Sequence, residues 1–263
     1  MFNFLKKSKK EALYSDSYLI KFNLVAGALH LVQAVIMTFL VTDSRLPVTL
    51  NFLTLNSEKN LVPDSTQLFT ISLAFLTIGF LALSALAHFT IATVYKKQYL
   101  KNLKKGINKA RWIEYSLSAS TMMVAIAFLS GIYDLGSLLM IFTLVAGMNL
   151  MGLVMELWNQ TTKNTHWLSY RIGCLLGIVP WIVFGLYVWG AESYGAGSIP
   201  TFVYYIYGSI FVFFNSFALN MYLQYKKVGK WSHYLYGERA YIILSLVAKS
   251  ALAWQVFAGS LRP

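Results

Sequence analysis

Long apolar blocks alternate with short polar segments along the whole chain. Seven of these blocks reach about 20 residues or more, the length at which an α-helix crosses the hydrocarbon core of a bilayer. They cover residues 18–41, 67–95, 106–131, 136–158, 167–190, 200–225 and 236–261. The pattern predicts an all-α membrane protein, a bundle of seven transmembrane helices. The spans use nearly the whole chain, so we expect residues 1–263 to form a single domain.

The composition excludes a water-soluble domain. Hydrophobic residues make up 57% of the 263 residues and charged residues only 12%, whereas soluble domains average about 25% charged residues. The sequence contains no metal-ligand spacing, no nucleophile elbow and no phosphate-binding glycine loop. We therefore expect a multi-pass protein of the cell membrane that is neither an enzyme nor a metal protein.

The positive charges predict the orientation in the membrane. Of the 22 lysines and arginines, 18 fall in the N-terminal segment and in the connections after the second, fourth and sixth spans, Arg111 among them. Cytoplasmic segments carry such an excess. The N-terminus, with a basic segment at 1–17, is therefore predicted to be cytoplasmic and the C-terminus extracellular. Topology and contact with the lipid bilayer account for the net charge of +12, so no nucleic-acid partner is expected.

The long connection at 42–66 lies on the predicted external side. Its stretch LPVTLNFLTLN alternates partly between apolar and polar residues, which indicates a short β-ribbon closed around NSEKN. We expect this ribbon to cover the outer face of the bundle.

Lys249 lies in the middle of the seventh span, in the stretch SLVAKSALAW. A lysine at the centre of a bilayer costs about 2.5–3.5 kcal/mol on insertion scales, so a second group has to offset that cost. The other ionisable residues at depth are Glu114, His30, His88 and Glu156. Since Glu156 is close to a span end, its expected behaviour is to extend toward the interface.

The direction of the seventh helix relates these groups to one another. Side chains lean toward the start of a helix, so Lys249 points toward the cytoplasmic half, where Glu114 follows the start of the third span. Ser245 is one turn before Lys249 on the same helix face. A polar cavity on the cytoplasmic side of Lys249 would satisfy these groups together with His30, Gln33, Ser84 and His88.

Two explanations of Lys249 follow from the residues alone. It is a permanent cation paired with Glu114, in a transporter or a structural lock. Alternatively it has condensed with an aldehyde, as lysine amines do with carbonyl ligands. A protonated imine is also a cation and also requires a carboxylate.

The third-span stretch ARWIEYSLSAS and the seventh-span stretch SLVAKSALAWQ resemble those of heliorhodopsins. The resemblance extends over all seven spans and includes the cytoplasmic N-terminus. It implies that all-trans retinal is bound to Lys249 as a protonated Schiff base, with Glu114 as its counterion and Ser245 hydrogen-bonded near that pair. His30, Gln33, Ser84 and His88 would line the cytoplasmic-side cavity, and Asn108, Arg111 and Glu156 would continue the polar network.

The same resemblance implies a light-sensing photoreceptor with a slow photocycle, a homodimer and an unidentified cytoplasmic signalling partner. Independent support against pumping comes from the third span. In outward proton pumps of similar type this helix carries a second carboxylate about three turns after the counterion, and here that position is Ala125. A light-driven or light-gated proton transporter with the same chromophore is the alternative.

A retinal pocket should be apolar, aromatic and long. The candidates are Met122 and Met123 on the third span, Trp181 on the fifth, and Phe213 or Phe214 on the sixth. Gly173 and Gly177 in GCLLG form a pair of small residues that permits close helix approach. This pair fits a dimer face and packing within the monomer equally well.

Overall fold

The computed structural model describes residues 15–42, 45–195, 197 and 199–261. Most of the predicted segment 1–17, and Arg262, lie outside these residues. Within them, seven helices are long and apolar enough to span a membrane. The helices are α1 (Asp16–Leu40), α2 (Leu73–Ala92), the short α3 (Lys96–Leu103), α4 (Lys109–Leu129), α5 (Leu135–Trp158), α6 (Leu168–Tyr194), α7 (Thr201–Tyr225) and α8 (Tyr234–Val256). The predicted bundle of seven transmembrane helices is confirmed.

Polar side chains at the helix starts explain several of these boundaries. Ser15 accepts a hydrogen bond from the backbone N–H of Tyr18 and begins α1. Asn108 does the same for α4, and Asp134 for α5. Such N-caps satisfy backbone donors that have no partner within the helix. The short polar segments between the apolar blocks therefore end one helix and start the next.

The ribbon between the first two spans is a two-stranded antiparallel sheet, as predicted, but longer. Strand β1 covers Arg45–Leu55 and β2 covers Leu61–Ser72, with a register that runs from Arg45 opposite Ser72 to Leu55 opposite Leu61. The second span was predicted to begin at residue 67, and that prediction was wrong by six residues. Residues such as Gln67 and Thr70, which were predicted to be helical, belong to β2 because they pair across the sheet with β1.

The hairpin is attached to the bundle at the start of α5. The backbone N–H of Thr49 donates to the carbonyl oxygen of Tyr133 over 2.9 Å, and that of Asn51 donates to Asp134 Oδ1 over 3.3 Å. The hairpin is held by these hydrogen bonds and by its direct continuation into α2. It therefore covers one end of the bundle. We call this end the hairpin face, and the opposite end, where α1, α4, α6 and α8 begin, the basic face.

The helices pack in a ring that is open between α6 and α7. Along the chain, α1 packs on α2, α2 on α4, α4 on α5, α5 on α6 and α7 on α8, and α8 returns to α1. A cavity of about 520 Å³ extends between α6 and α7, with Cys174 and Asn215 at its exposed rim. The bundle is thus open sideways, toward the lipid, between these two helices.

Buried residues are distributed unequally along the bundle axis. Toward the hairpin face the core is an apolar cluster that includes Phe80, Leu81, Ile126, Phe128 and Leu252. Toward the basic face several buried residues are polar or charged, and they are listed here: Asn23, His30, His88, Asn108, Arg111, Glu156, Glu238 and Lys249. The site therefore belongs to the half of the bundle next to the basic face.

Candidate functional site

Lys249 and Glu114 form a direct ion pair between α8 and α4. The Nζ atom of Lys249 lies 2.7 Å from Glu114 Oε1, and the two side chains are 3% and 8% exposed. Ser245, one turn earlier on α8, accepts a hydrogen bond from the same Nζ over 2.9 Å. Each charge offsets the desolvation of the other, which neither could bear alone at this depth.

Neighbouring side chains hold both members of this pair. The hydroxyl of Ser84 on α2 donates to Glu114 Oε1 over 2.6 Å. The ring of Tyr115 lies 5.1 Å from Lys249 Nζ, within the range of a cation–π contact. The hydroxyl of Tyr115 donates to the carbonyl oxygen of Tyr241 over 2.9 Å and so fixes the ring. Tyr115 was not predicted from the sequence as a site residue, because an aromatic residue beside a counterion has no distinctive sequence pattern.

The two intramembrane histidines lie together beside this pair. The rings of His30 and His88 are stacked with their centroids 5.7 Å apart. His88 Nδ1 is 2.8 Å from Asn23 Oδ1, which places α1 and α2 in one polar layer. Asn23 was missed by the sequence analysis, although it is two turns before His30 on the same face of α1.

Gln33 is not brought into this layer. Its Nε2 donates to the carbonyl oxygen of Leu29 over 3.1 Å, and its Oε1 accepts from Trp254 Nε1 over 3.0 Å. Trp254 follows Lys249 on α8, so Gln33 lies on the side of Lys249 that faces the hairpin. Ser84, His30 and His88 stand apart from it, near Glu114.

An apolar pocket begins at Lys249 and leads away from the ion pair. It has a volume of about 60 Å³. Its lining comprises Tyr115, Ala119, Met122, Met123, Met148, Asn149, Ile210, Phe214, Phe217, Ser245, Ala248 and Lys249. The larger cavity between α6 and α7 shares Met148 and Phe214 with this pocket, and Trp181 lines the larger cavity. Phe213 lines neither of the two.

The shape and chemistry of this region fit a long apolar aldehyde attached to Lys249. The amine stands at one end, methionine and aromatic side chains form the walls, and the adjoining cavity extends the space toward α6. The rings of Trp181 and Phe214 meet edge to face with centroids 5.7 Å apart. The carboxylate of Glu114 is already placed where a positively charged imine nitrogen would require it.

A second buried ion cluster lies between the lysine and the basic face. One guanidinium nitrogen of Arg111 contacts Glu156 and another contacts Glu238, with all three side chains at most 4% exposed. Arg111 was assigned to a cytoplasmic connection as a topology charge, and that assignment was wrong because α4 begins at Lys109 and buries it. The expectation that Glu156 extends toward the interface was wrong as well, since it is 1% exposed.

Glu238 was missed by the sequence analysis, although a periodic signal exists. It is eleven residues before Lys249 and seven before Ser245, so all three lie on one face of α8. A cavity of about 20 Å³ connects it with the lysine site. The lining of this cavity includes Asn23, His88, Asn108, Arg111, Glu114 and Glu238. The ion pair and the ion cluster are therefore two ends of one polar column.

The small residues on α6 pack inside the monomer. A side chain added at Gly177 would come within 2.6 Å of the sulfur of Met148, and one added at Gly173 would meet Met151 at 3.4 Å. Both methionines belong to α5. The structure thus decides between the two interpretations of GCLLG in favour of packing between α5 and α6.

One family model matches nearly the whole chain. The chain matches the family model described as Heliorhodopsin over residues 19–261, which include all seven spans, Glu114 and Lys249. A search of curated proteins gave no match. The chain belongs to the heliorhodopsin family, and it is thereby a multi-pass membrane protein of the retinal-based, light-sensing rhodopsin type.

Proposed function

We propose that this protein is a light-sensing photoreceptor in which Lys249 binds all-trans retinal as a protonated Schiff base and Glu114 is the counterion. The observation that carries the proposal is the buried contact of 2.7 Å between Lys249 Nζ and Glu114 Oε1, beside an apolar pocket that Lys249 lines. When bound, retinal supplies the absorption of visible light. The chain supplies the attachment point, the compensating charge and the shape of the pocket.

The surrounding residues have distinct parts in this arrangement. Ser84 donates to the carboxylate of Glu114 and Ser245 accepts from Lys249, so the two hydroxyls fix the direction of the ion pair. His30 and His88 border the pair on the side of the basic face and provide ring nitrogens that bind protons. Met122, Trp181 and Phe214 form apolar walls that exclude water from the polyene.

The absence of net ion pumping is part of the proposal. Ala125 stands where a second carboxylate would be required on α4, and it is fully buried in the apolar cluster. Among the described residues, no buried acid, histidine, lysine or arginine lies between Lys249 and the hairpin face. Within the described residues, a proton that leaves the site would therefore meet buried ionisable groups only toward the basic face, which supports a photocycle without transport. The slow rate of that photocycle is expected from the family resemblance. Proton transport with the same chromophore remains the alternative.

The direct test is a visible spectrum. The retinal-free protein is purified, all-trans retinal is added, and the absorption is recorded from the near ultraviolet to the red. Formation of a visible band that is stoichiometric with the protein supports the proposal, and extraction of the chromophore in the dark identifies its isomer. Failure to form any visible pigment with all-trans retinal would contradict it.

Orientation and assembly complete the proposal. We infer a cytoplasmic basic face, because the cations cluster there, and signalling to a cytoplasmic partner through that face. A homodimer is expected by family resemblance. Epitope accessibility at the two chain ends in intact cells tests the orientation. The mass of the detergent-solubilised protein by light scattering tests the dimer.

A further inference from the structure

The cluster on the basic side of the site contains two carboxylates and one cation. Arg111 contacts both Glu156 and Glu238, and in the described part of the chain no other lysine or arginine makes an ion pair with either acid. The ion pair of Lys249 and Glu114 is neutral by itself. With both acids ionised, the polar column would hold one uncompensated negative charge at nearly complete burial. A buried acid in that situation takes up a proton instead.

The hydrogen bonds of Glu156 are those of an anion. Besides Arg111, it accepts from the backbone N–H of Asn108 over 2.8 Å and from Trp112 Nε1 over 2.8 Å. Both of these groups are donors only. Tyr234 adds a fourth donor over 3.0 Å. Of these four donors only the Tyr234 hydroxyl could turn to accept a proton from Glu156. Glu156 has two donor-only partners besides Arg111, whereas Glu238 has one, Asn108 Nδ2, so Glu156 is the acid that stays ionised.

The surroundings of Glu238 accommodate a proton. Besides Arg111, its Oε1 accepts from Asn108 Nδ2 over 2.7 Å and from the hydroxyl of Tyr99 over 3.2 Å. A tyrosine hydroxyl accepts as well as donates, so the bond to Tyr99 can reverse when Oε1 carries the proton. The longer of the two contacts to Oε1 is the one that would reverse.

Glu238 is also the acid of the cluster that faces the retinal site. It lines the cavity of about 20 Å³ together with His88 and Glu114, whereas Glu156 does not. A cavity of this size holds about one water molecule. A second route of contacts leads from His88 through Asn23 and Tyr99 to Glu238, with distances of 2.8, 3.3 and 3.2 Å.

The titratable and charged groups around Glu238 come from five helices. They are His88 on α2, Tyr99 on α3, Arg111, Glu114 and Tyr115 on α4, Glu156 on α5, and Tyr234 and Tyr241 on α8. Arg111 is the only cation of this set when His88 is neutral, and Glu156 and Glu114 are the anions. The set is therefore electrically balanced when Glu238 is neutral and Glu114 is paired with Lys249.

We propose that Glu238 holds a buried proton at neutral pH and that this proton controls the charge experienced by Glu114 across the shared cavity. The charge imbalance of Arg111, Glu156 and Glu238 is a property of the polypeptide alone and exists without retinal. Its effect on the pigment rests on the proposed function. Loss of the proton, from Oε1 to water entering from the basic face, would place a second negative charge beside the counterion.

Infrared spectroscopy of the retinal-free protein tests the proton directly. We expect a C=O stretch of a protonated carboxyl group that shifts slightly in D2O, is lost in Glu238→Gln and persists in Glu58→Gln, a change of an exposed acid in the hairpin turn. Absence of the band in the parent protein, or its persistence in Glu238→Gln, would overturn the proposal.

Two matched tyrosine variants identify which acid carries the proton, and they remain informative if Glu238→Gln fails to fold. Tyr99→Phe removes a hydroxyl that contacts only Glu238 of the two acids, and Tyr234→Phe removes one that contacts only Glu156. The band should move in Tyr99→Phe and stay in place in Tyr234→Phe. The reverse result would assign the proton to Glu156 and overturn the proposal.

The pigment provides a separate test of the coupling. In the retinal-loaded protein, raising the pH should remove the proton of Glu238 and shift the visible maximum to the blue, because added negative charge confines the positive charge near the imine nitrogen. Glu238→Gln should lack this transition. A parent-like alkaline shift in Glu238→Gln would overturn the coupling, whereas failure to form any pigment would count against the proposed function and leave the infrared result standing.

Discussion

Lys249 Nζ and Glu114 Oε1 lie 2.7 Å apart although 135 positions separate the two residues in the chain. The contact joins α4 to α8 in the interior of the bundle. It is maintained by hydroxyls from α2 and α8, which contact the carboxylate and the amine respectively.

Attachment of the chromophore depends on Lys249. Lys249→Ala should abolish the visible absorption completely, because among the described residues no other lysine lies inside a span at this depth. The measurement is the spectrum after addition of all-trans retinal. Lys105→Ala, a change in the connection before α4, is the control and should keep the full band. A coloured Lys249→Ala protein, formed without any added amine, would refute the assignment.

The counterion prediction concerns Glu114→Gln. Removing the carboxylate leaves a buried cation without its partner, which is costly unless the proton leaves the nitrogen. At neutral pH a large part of the pigment should therefore absorb in the near ultraviolet. Any fraction that remains protonated should absorb to the red of the parent, since a weaker counterion lets positive charge spread along the polyene.

A dark titration of Glu114→Gln, followed by absorption, measures both effects. Glu58→Gln is the control, because Glu58 lies in the exposed turn of the hairpin. If Glu114→Gln and the parent have the same titration midpoint and the same maximum, Glu114 is not the counterion. A bound anion or Glu156 would then have to be considered.

The histidine pair should influence the photocycle more than the dark spectrum. Neither His30 nor His88 makes a hydrogen bond to Lys249 or Glu114 within the described residues, and their rings stack on each other. His30→Ala and His88→Ala should shift the dark maximum less than Glu114→Gln does and change the decay rates of photocycle states more. Flash photolysis measures those rates. His166→Ala, on the exposed α5–α6 connection, serves as the control.

Illuminated cells should show no sustained change of external pH. The reason is the apolar core between Lys249 and the hairpin face, where Ala125 occupies the position of a possible second carboxylate. The experiment follows the pH of a lightly buffered suspension in light and darkness. A steady light-dependent shift that a protonophore abolishes would favour the proton transporter.

Asp134 should make the attachment of the hairpin sensitive to acid. Hydrogen bonds from the backbone N–H and the hydroxyl of Ser137 and from the backbone N–H of Asn51 lower the pKa of Asp134 below its usual value. The stabilisation is thus present above the ordinary pKa of an aspartate and is lost as the pH falls through the lowered one. The protection factors of the hairpin amides, which are corrected for the intrinsic pH dependence of exchange, should therefore fall at acidic pH.

Replacement of the same residue supplies the matched test. Asp134→Ala removes an N-cap, which costs about 1 kcal/mol, and should lower the protection factors of the hairpin amides at every pH. Asp64→Ala is the control, because within the described part of the chain this carboxylate in β2 accepts only from the adjacent backbone N–H of Ser65. Equal acid sensitivity in the parent and in Asp134→Ala would rule out Asp134 as the cause.

The sequence by itself determined the seven spans and the part of the site that lies on single helices. Bilayer thickness sets the length of a transmembrane helix. The spans can therefore be found from the share of apolar residues in each stretch of about 20 residues. Lys249 could be identified because a single charged side chain inside an apolar span has a high free-energy cost in the bilayer. Ser245 followed from helical spacing, and Glu114 from its depth on a helix of the same direction.

The tertiary structure decided which helix faces meet. Periodicity places Arg111 and Glu238 on particular faces of α4 and α8, but it does not say that the two faces meet, or that Glu156 of α5 joins them. Gln33 and His30 are both polar residues inside α1, three positions apart. Gln33 nevertheless pairs with Trp254, because α8 passes beside it. The start of α2 also depended on pairing, since β2 is a strand only where β1 lies alongside. Contacts between distant segments form only when the bundle closes, and that is why spacing within one segment could not reveal them.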